Sequence, residues 1–356
     1  MKILRANDSL PPDMNTVVTV GNFDGVHRGH TRLIERTVGL AAERGAASAA
    51  ITFEPHTRSV LYPEFSTMAL TTLGEKAALL ETLGVDYLFC VDFDENFRRM
   101  GQEEFIEKIL VGRLRASGWV MGEGHLVGKN RAGGKKSLQL VAGKYHITVL
   151  TEALETADGA VISSTRIRGL VCEGRMADAA ALLGRPYLIA AERVRGVQVA
   201  TGLGFPTLNF KRPQADKVIP PSGVYAAEIE IVGRCGDDVN VYNGGMDNAN
   251  INNDRDVVNT NNGGNNNADI DINNKRLFGA LYFGNCPTYE GRDTHFEFHA
   301  LSYDESVREP VVGETVRLWL HKHIRPNAAF ESEDALKAQI ALDVNEIKKY
   351  FRQGDV

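Results

Sequence analysis

The sequence predicts an α/β domain with a parallel sheet for the first half of the chain and a small antiparallel β-barrel or sandwich for the second. Apolar runs alternate with segments of helical periodicity up to about residue 184, which is typical of a parallel sheet covered by helices. Period-2 alternation dominates residues 186–325 and indicates antiparallel strands. Residues 332–351 return to a helical pattern, so a C-terminal helix closes the chain.

In the first half, short apolar strands are each followed by a helix. We expect strands over 17–23, 47–53, 85–93 and 118–123, and helices over 30–44, 70–84, 101–115 and 167–184. The helix over 70–84 has a clear start, because Thr71 or Thr72 with Glu75 forms a capping box. Ligands of such domains bind at the carboxyl ends of the strands, so we expect a site there.

The second half contains shorter strands and one closing helix. We expect strands over 187–199, 223–232, 277–283, 295–301 and 315–324. The final helix carries Leu336, Ile340, Val344 and Ile347 on one face, and Ser332 is its expected N-cap. The boundary is expected at residues 183–187, which divides the chain into domains 1–184 and 185–356.

Residues 237–274 fit neither domain, because Asn, Asp and Gly dominate them. A segment with almost no large apolar side chains cannot offset the entropy of ordering. We therefore predict a disordered extension of a hairpin turn, which loop closure penalises only weakly. A calcium site is the alternative, but the acidic spacing of an EF-hand loop is missing.

Composition excludes several classes of protein. The net charge of −6 disfavours a nucleic-acid binder, and the sequence has neither a signal-peptide core nor an apolar run long enough to span a membrane. The four cysteines are scattered, which favours reduced thiols over a disulfide framework or a zinc site. We expect a soluble, acidic, cytoplasmic protein, and the sequence does not indicate its oligomeric state.

The strongest motif is GNFDGVHRGH over residues 21–30, at a strand-to-helix junction. Its glycines let a phosphate approach the backbone, and the helix start supplies N–H donors. His27 and His30, three residues apart, can face the same phosphate and stabilise charge that develops on it. A capping histidine in a glycine-rich turn is the structural alternative.

A second motif, SSTR over residues 163–166, precedes the helix expected at 167–184. Hydroxyls and backbone N–H groups at a helix start, with Arg166 beside them, form a clamp for phosphates. An ordinary N-cap with surface arginines is the alternative.

Together the two motifs resemble the H-x-G-H nucleotidyltransferase superfamily. The resemblance implies a Rossmann-like domain, ATP or CTP as the nucleotide donor, and Mg²⁺ to screen the triphosphate. Further segments are similar to the bifunctional riboflavin kinase/FMN adenylyltransferase family. They are TFEPH over 52–56, LTTLGEK over 70–76, GFPTLN over 204–209, GVYA over 223–226 and EFH over 297–299. This likeness covers nearly the whole chain except the Asn-rich segment.

The family resemblance implies that AMP passes from ATP to FMN, giving FAD, and that riboflavin is phosphorylated to FMN. It implies catalytic roles for His27, His30 and Glu297, the last as the base for the ribityl hydroxyl. The expected ATP-binding residues are Gly21, Phe23, Asp24, Gly29, Ser163, Ser164, Thr165, Arg166, Thr207 and Asn209. Thr207 and Asn209 are also the expected Mg²⁺ ligands, and the expected flavin-binding residues are Phe53, Pro55, His56, Gly122 and Arg131.

Two segments depart from the family pattern. Gly124, His125 and Val127 stand where the family has a polar residue and two aromatic residues near the flavin. The kinase's glycine-rich phosphate loop is GVQVATG here, over residues 196–202. Two alternatives therefore stay open: a single-activity FMN adenylyltransferase with a degenerate kinase domain, and a non-catalytic flavin- or nucleotide-binding protein.

Overall fold

The computed structural model describes residues 1–6, 8–61, 68–123, 135–196, 204–213, 216–232, 276–284, 296–301 and 309–352. The Asn-rich segment at 237–274, the departing segment at 124–127, the departing segment at 196–202 after its first residue, and Arg131 lie outside these ranges. The expectations made for them stay predictions.

The first half forms a six-stranded parallel sheet in the order β1-β4-β3-β2-β5-β6. The strands are β1 (Lys2–Leu4), β2 (Thr16–Val20), β3 (Ala47–Glu54), β4 (Tyr87–Asp92), β5 (Ala116–Gly122) and β6 (Thr148–Glu152). The strand order reverses next to β2, which is where α/β sheets of this kind bind ligands. The predicted Rossmann-like sheet is confirmed. Sequence patterning missed β1 and β6 because these edge strands are short and only partly buried.

Helices cover the sheet and lead to the second half. They are α1 (Arg28–Glu43), α2 (Thr57–Leu61), α3 (Leu73–Thr82), α4 (Glu95–Arg99), α5 (Gln102–Phe105), α6 (Lys135–Lys144), α7 (Ser164–Cys172) and α8 (Met176–Leu183). The capping box at Thr72 and Glu75 is confirmed, with both hydrogen bonds formed. The helix expected at 101–115 passes into a π-helix, Ile106–Val111. The helix expected at 167–184 begins earlier and divides at Gly174, whose φ of 73° is left-handed.

The second half is a closed antiparallel barrel, in the order β10-β13-β12-β11-β14-β9. Its strands are β9 (Tyr187–Val194), β10 (Leu208–Phe210), β11 (Gly223–Ile231), β12 (Arg276–Phe283), β13 (Phe296–Ala300) and β14 (Thr315–Pro326), after a small hairpin of β7 (Thr156–Ala157) and β8 (Ala160–Val161). The barrel is confirmed over the sandwich. Strand β10 was missed because three residues are too few for an alternating pattern.

The C-terminal helix α9 (Glu333–Arg352) packs on the outside of the barrel. The predicted N-cap is confirmed, because Ser332 Oγ accepts a hydrogen bond from the Ala335 N–H at 3.1 Å. Ile347 is fully buried against β11, and the Arg325 guanidinium of β14 binds the Asp343 carboxylate at 2.8 Å.

One apolar core spans both halves of the chain. It contains Ile167 of α7 and Leu182 of α8 together with Ile189 and Phe298 of the barrel. Burying apolar side chains from both halves in one cluster favours their docking, at roughly 25 cal/mol per Å² of apolar surface removed from water. The two domains are therefore packed as one body at this junction.

A buried ion pair joins the halves beside that core. Lys217, between β10 and β11, donates from Nζ to Glu75 Oε2 at 2.7 Å, to the Leu70 carbonyl at 2.5 Å and to the Leu188 carbonyl at 2.8 Å. Both charged side chains are at most 1 % exposed, and the ammonium lies 4.5 Å from the centroid of the Tyr187 ring. All three ammonium protons are satisfied, which offsets the cost of burying the charge.

We predict that Lys217→Met lowers the free energy of unfolding by about 3–5 kcal/mol, because the Glu75 carboxylate is left buried without its cation. Urea unfolding followed by tryptophan fluorescence measures it, since Trp119 lies in the sheet and Trp319 in the barrel. The double variant Glu75→Gln/Lys217→Met should recover part of the loss. Lys108→Met, which removes only an exposed ion pair with Glu104, is the control and should unfold at the wild-type midpoint. Equal losses in the single and double variants would contradict a role for the buried charge.

Candidate active sites

The two motif histidines stack where β2 passes into α1. His27 is the N-cap of α1, and its Nδ1 accepts a hydrogen bond from the His30 N–H at 3.4 Å. The two imidazole centroids lie 3.7 Å apart with an interplanar angle of 16°. Gly29 makes room for this stack, because a Cβ there would lie 3.3 Å from the His27 ring. The sequence spacing therefore brings both rings to one helix start, where His27 also caps the helix, and the expected contact with a phosphate stays a prediction.

Burial keeps both imidazoles neutral. Desolvation lowers the pKa of His27 to about 4, although the nearby Asp24 carboxylate partly opposes it. Burial also lowers the pKa of His30 well below 6.5, and its neighbour His27 lowers it further. His30 Nδ1 is buried with no hydrogen-bond partner among the residues described. The pair can thus meet a phosphate through N–H groups without carrying charge of its own.

The loop before α1 has an unusual backbone. Phe23 and Val26 have φ values of 47° and 39°, and Gly25 lies at 80°. Left-handed φ values cost free energy at residues other than glycine and persist only where the surroundings hold them. Gly25 N–H donates to Thr71 Oγ1 at 3.0 Å, in a buried contact. The loop's shape therefore depends on neighbours distant in sequence.

Asp24, an expected ATP-binding residue, uses its carboxylate within the protein. One oxygen accepts from the Leu70 N–H at 2.8 Å and the Thr71 N–H at 3.1 Å. The other binds the Arg168 guanidinium at 2.8 Å. Asp24 is 2 % exposed, so these contacts make it a support of the loop. Phe23, at 1 % exposure, likewise supports the site by packing edge-on against the His30 ring.

The second motif reaches the same loop through the start of α7. Ser163 is the N-cap of this helix and accepts from the Arg166 N–H at 3.3 Å. Ser164 Oγ donates to the Asp24 carbonyl at 2.9 Å, while Thr165 is exposed. The Arg166 guanidinium binds the Ala157 carbonyl at 2.9 Å and Asp158. The structure thus joins the two motifs but holds Arg166 against the β7–β8 hairpin.

Lys76 is a site residue that sequence reasoning did not select, although it closes the LTTLGEK segment. It is 4 % exposed, and its Nζ donates to Thr52 Oγ1 at 3.0 Å. Burial lowers its pKa, and the carboxylates of Glu54 and Asp24 oppose that shift. In the part of the chain that the structure describes, no carboxylate pairs with it directly. Its charge acts on His30, so the ammonium adds positive potential beneath the histidine pair.

The expected acceptor side lies at the end of β3. Phe53 packs against Phe93 and Phe97 with ring centroids 5.6 Å apart in each pair. Pro55 is exposed and His56 partly buried. This segment contacts the loop before α1, because Asn22 Nδ2 in that loop donates to Thr57 Oγ1 at 2.8 Å. Gly122 ends β5, which β2 separates from β3, so all of the described flavin candidates lie at carboxyl ends of strands.

The barrel assembles a second set of predicted residues. Asn209 of β10 and Glu297 of β13 are direct partners across an antiparallel ladder, so their side chains share one face. His299 lies on the same face, two residues along, and its Nδ1 is 2.9 Å from the Pro206 carbonyl. This contact fixes the strand entry that carries Thr207. The barrel thereby brings together residues that lie far apart in sequence, and their roles stay predictions.

The donor set around Asn209 fits Mg²⁺. Thr207 and Asn209 offer a hydroxyl and an amide oxygen, which are hard ligands, and Mg²⁺ completes its shell with water and substrate phosphates. Asn209 is 4 % exposed, and a Cβ at Gly196 would lie 2.1 Å from its Nδ2. Glycine at 196 therefore leaves room for this amide. No cluster of three or more His, Cys, Asp or Glu suited to a metal occurs in the described ranges.

Comparisons with known proteins match both halves of the chain. The FAD synthetase family model matches residues 10–166, and the riboflavin kinase model matches residues 183–351. The bifunctional riboflavin kinase/FMN adenylyltransferase of Escherichia coli K12 is 30 % identical over 353 residues, covering 99 % of this chain and 98 % of that protein. The chain belongs to the bifunctional riboflavin kinase/FMN adenylyltransferase family.

A second relative is slightly less similar and is matched over nearly its whole length. The protein of that name from Buchnera aphidicola of Schizaphis graminum is 28 % identical and covers 99 % of both chains. A crystal structure described as a macrolide-efflux protein from Streptococcus pneumoniae has a TM-score of 0.74 at 22 % identity, over 98 % of this chain and 99 % of that one. That similarity supports the fold alone.

None of the described helices has the length and apolar character needed to cross a membrane.

The low pKa of His27 predicts a pH dependence of stability. The unfolded imidazole takes up a proton near pH 6.5 and the folded one only near 4, so the unfolded state binds more protons between these values. The free energy of unfolding that the neutral His27 contributes is therefore fully present above pH 6.5. It falls by about 3 kcal/mol as the pH falls to 4. The difference in unfolding free energy between wild type and His27→Gln, measured from pH 7.5 to 4, should shrink by that amount. A constant difference would show that His27 titrates normally in the folded protein.

Proposed function

We propose that this chain makes FAD from riboflavin in two ATP-dependent steps. The barrel phosphorylates riboflavin to FMN, and the first domain transfers AMP from ATP to FMN with release of pyrophosphate. The observation that carries the proposal is the stacked, neutral His27/His30 pair at the buried start of α1. The alignment of Asn209 with Glu297 across β10 and β13 supports the kinase step.

In the adenylyl transfer, a phosphate oxygen of FMN attacks the α-phosphorus of ATP, and the bond from that phosphorus to the bridging oxygen of pyrophosphate breaks. His27, His30 and the N–H groups at the start of α1 donate hydrogen bonds to the oxygens on which charge builds up. The start of α7, at Ser163 and Ser164, offers a second set of donors for the departing phosphates. Arg166 would have to leave the β7–β8 hairpin to join them.

In the kinase step, the primary ribityl hydroxyl attacks the γ-phosphorus of ATP and ADP leaves. Glu297 accepts the hydroxyl proton, which is the role of a positioned carboxylate in phosphoryl transfer. Thr207 and Asn209 would hold Mg²⁺, which when bound neutralises charge on the ATP phosphates. The proposed partners are thus ATP, riboflavin and FMN, and the proposed location is the cytoplasm.

The first experiment is incubation of the purified chain with ATP and Mg²⁺ and either riboflavin or FMN, with separation of the flavins by chromatography. We expect FAD from both flavins. FAD from FMN alone would mean a single-activity adenylyltransferase, which the altered segment at 196–202 would explain. FAD from neither would refute the proposal.

Two variants should separate the activities. His30→Ala should reduce FAD formation from FMN by at least about 10²-fold, because a donor to the developing charge is lost, and leave riboflavin phosphorylation intact. Glu297→Ala should reduce phosphorylation by about 10²–10⁴-fold, because the proton acceptor is lost, and leave adenylyl transfer intact. Initial rates with each flavin measure both effects. Parallel loss of both activities in either variant would contradict two separate sites.

A further inference from the structure

The loop over residues 23–26, just before α1, needs support beyond its own domain. Phe23, Gly25 and Val26 all have left-handed φ values, and such strain persists only where contacts over-determine the backbone. Leu70 and Thr71 bind the loop from the side of α3. These contacts engage the Asp24 side chain and the Gly25 N–H, but not the carbonyls that follow.

Those carbonyls bind Arg185, the second residue after α8. Arg185 donates from its guanidinium to the Gly25 carbonyl at 2.5 Å and to the Val26 carbonyl at 2.8 Å. A third bond, of 3.2 Å, goes to the Leu183 carbonyl at the end of α8. The planar fork of arginine can reach two adjacent carbonyls at once, which an ammonium cannot do with the same geometry. The residue that directly follows Val26 is His27.

The partners of Arg185 distinguish it from an ordinary structural arginine. Within the ranges that the structure describes, it has no carboxylate at ion-pair distance, and its hydrogen bonds all go to main-chain carbonyls. Burial lowers its pKa to about 10, and its charge acts on both His27 and His30. A buried cation without a counter-ion is costly. Because Arg185 lies beside the loop before α1, its unpaired positive charge favours the binding of an anionic ligand there.

We propose that Arg185 is a positioning residue for adenylyl transfer, holding the loop 23–26 so that His27 and His30 meet the reacting phosphates. This inference rests on the proposed function. Arg185 lies between α8 and β9, only two residues before Tyr187, so its place depends on the docking of both halves. The adenylyl-transfer site is therefore completed by the junction with the barrel and is not contained in the parallel-sheet domain alone.

The test compares full-length Arg185→Met, Arg185→Lys and wild type. Arg185→Met should lower kcat for FAD formation from FMN by about 10²-fold, since small displacements of reacting groups have effects of that size. KM for FMN and the rate of riboflavin phosphorylation should stay at wild-type values. Arg185→Lys, which keeps the charge but not the planar fork that reaches both carbonyls, should recover only a small part of the loss. Arg325→Met, which breaks an arginine–carboxylate contact between the barrel and α9, is the matched control and should not change adenylyl transfer.

Hydrogen exchange supplies a readout that does not need activity. Amides in the peptide over residues 21–30 should exchange faster in Arg185→Met than in wild type, and at the wild-type rate in Arg325→Met. Unchanged exchange and unchanged kcat in Arg185→Met would overturn the proposal, as would a parallel loss of the kinase rate. If wild type itself makes no FAD, the proposed function fails, and the exchange data still decide whether Arg185 holds the loop.

Discussion

The backbone of Leu70 connects the loop over residues 23–26 to the barrel. Its N–H donates to the Asp24 carboxylate at 2.8 Å, and its carbonyl accepts from Lys217 at 2.5 Å and from the Tyr187 hydroxyl at 3.2 Å. Each of these groups is buried, so none can exchange its partner for water without a penalty. The geometry of the loop, the start of α3 and the docking of the barrel therefore depend on the same peptide.

The electrostatics of the first site follow from the same packing. Burial removes the charge from His27 and His30, while Lys76 is buried and Arg185 partly buried beside them, neither with a carboxylate partner in the described chain. The nearby carboxylate of Asp24 is already paired with Arg168. The result is a positive, poorly hydrated region around neutral N–H donors, which favours a polyphosphate.

Sequence reasoning was most successful where chemistry is encoded locally. The histidine pair and the capping box at Thr72 lie within short motifs whose spacing constrains their geometry, whereas the pairing of Asn209 with Glu297 joins two motifs far apart in the chain. It was least successful at sheet edges and at the junction. Strand β1 and Arg185 have no periodic pattern, because their roles come from partners far away in the chain.

The sequence by itself determined the two fold classes, the motif residues and the family, because hydrophobic periodicity and fixed motif spacing are local properties. Only the tertiary structure decided what those residues contact. The Asp24 carboxylate supports the loop before α1, Arg166 binds the β7–β8 hairpin, and Arg185 binds the backbone of the first motif. Such contacts depend on how two domains bury one shared core, and no local pattern records that packing.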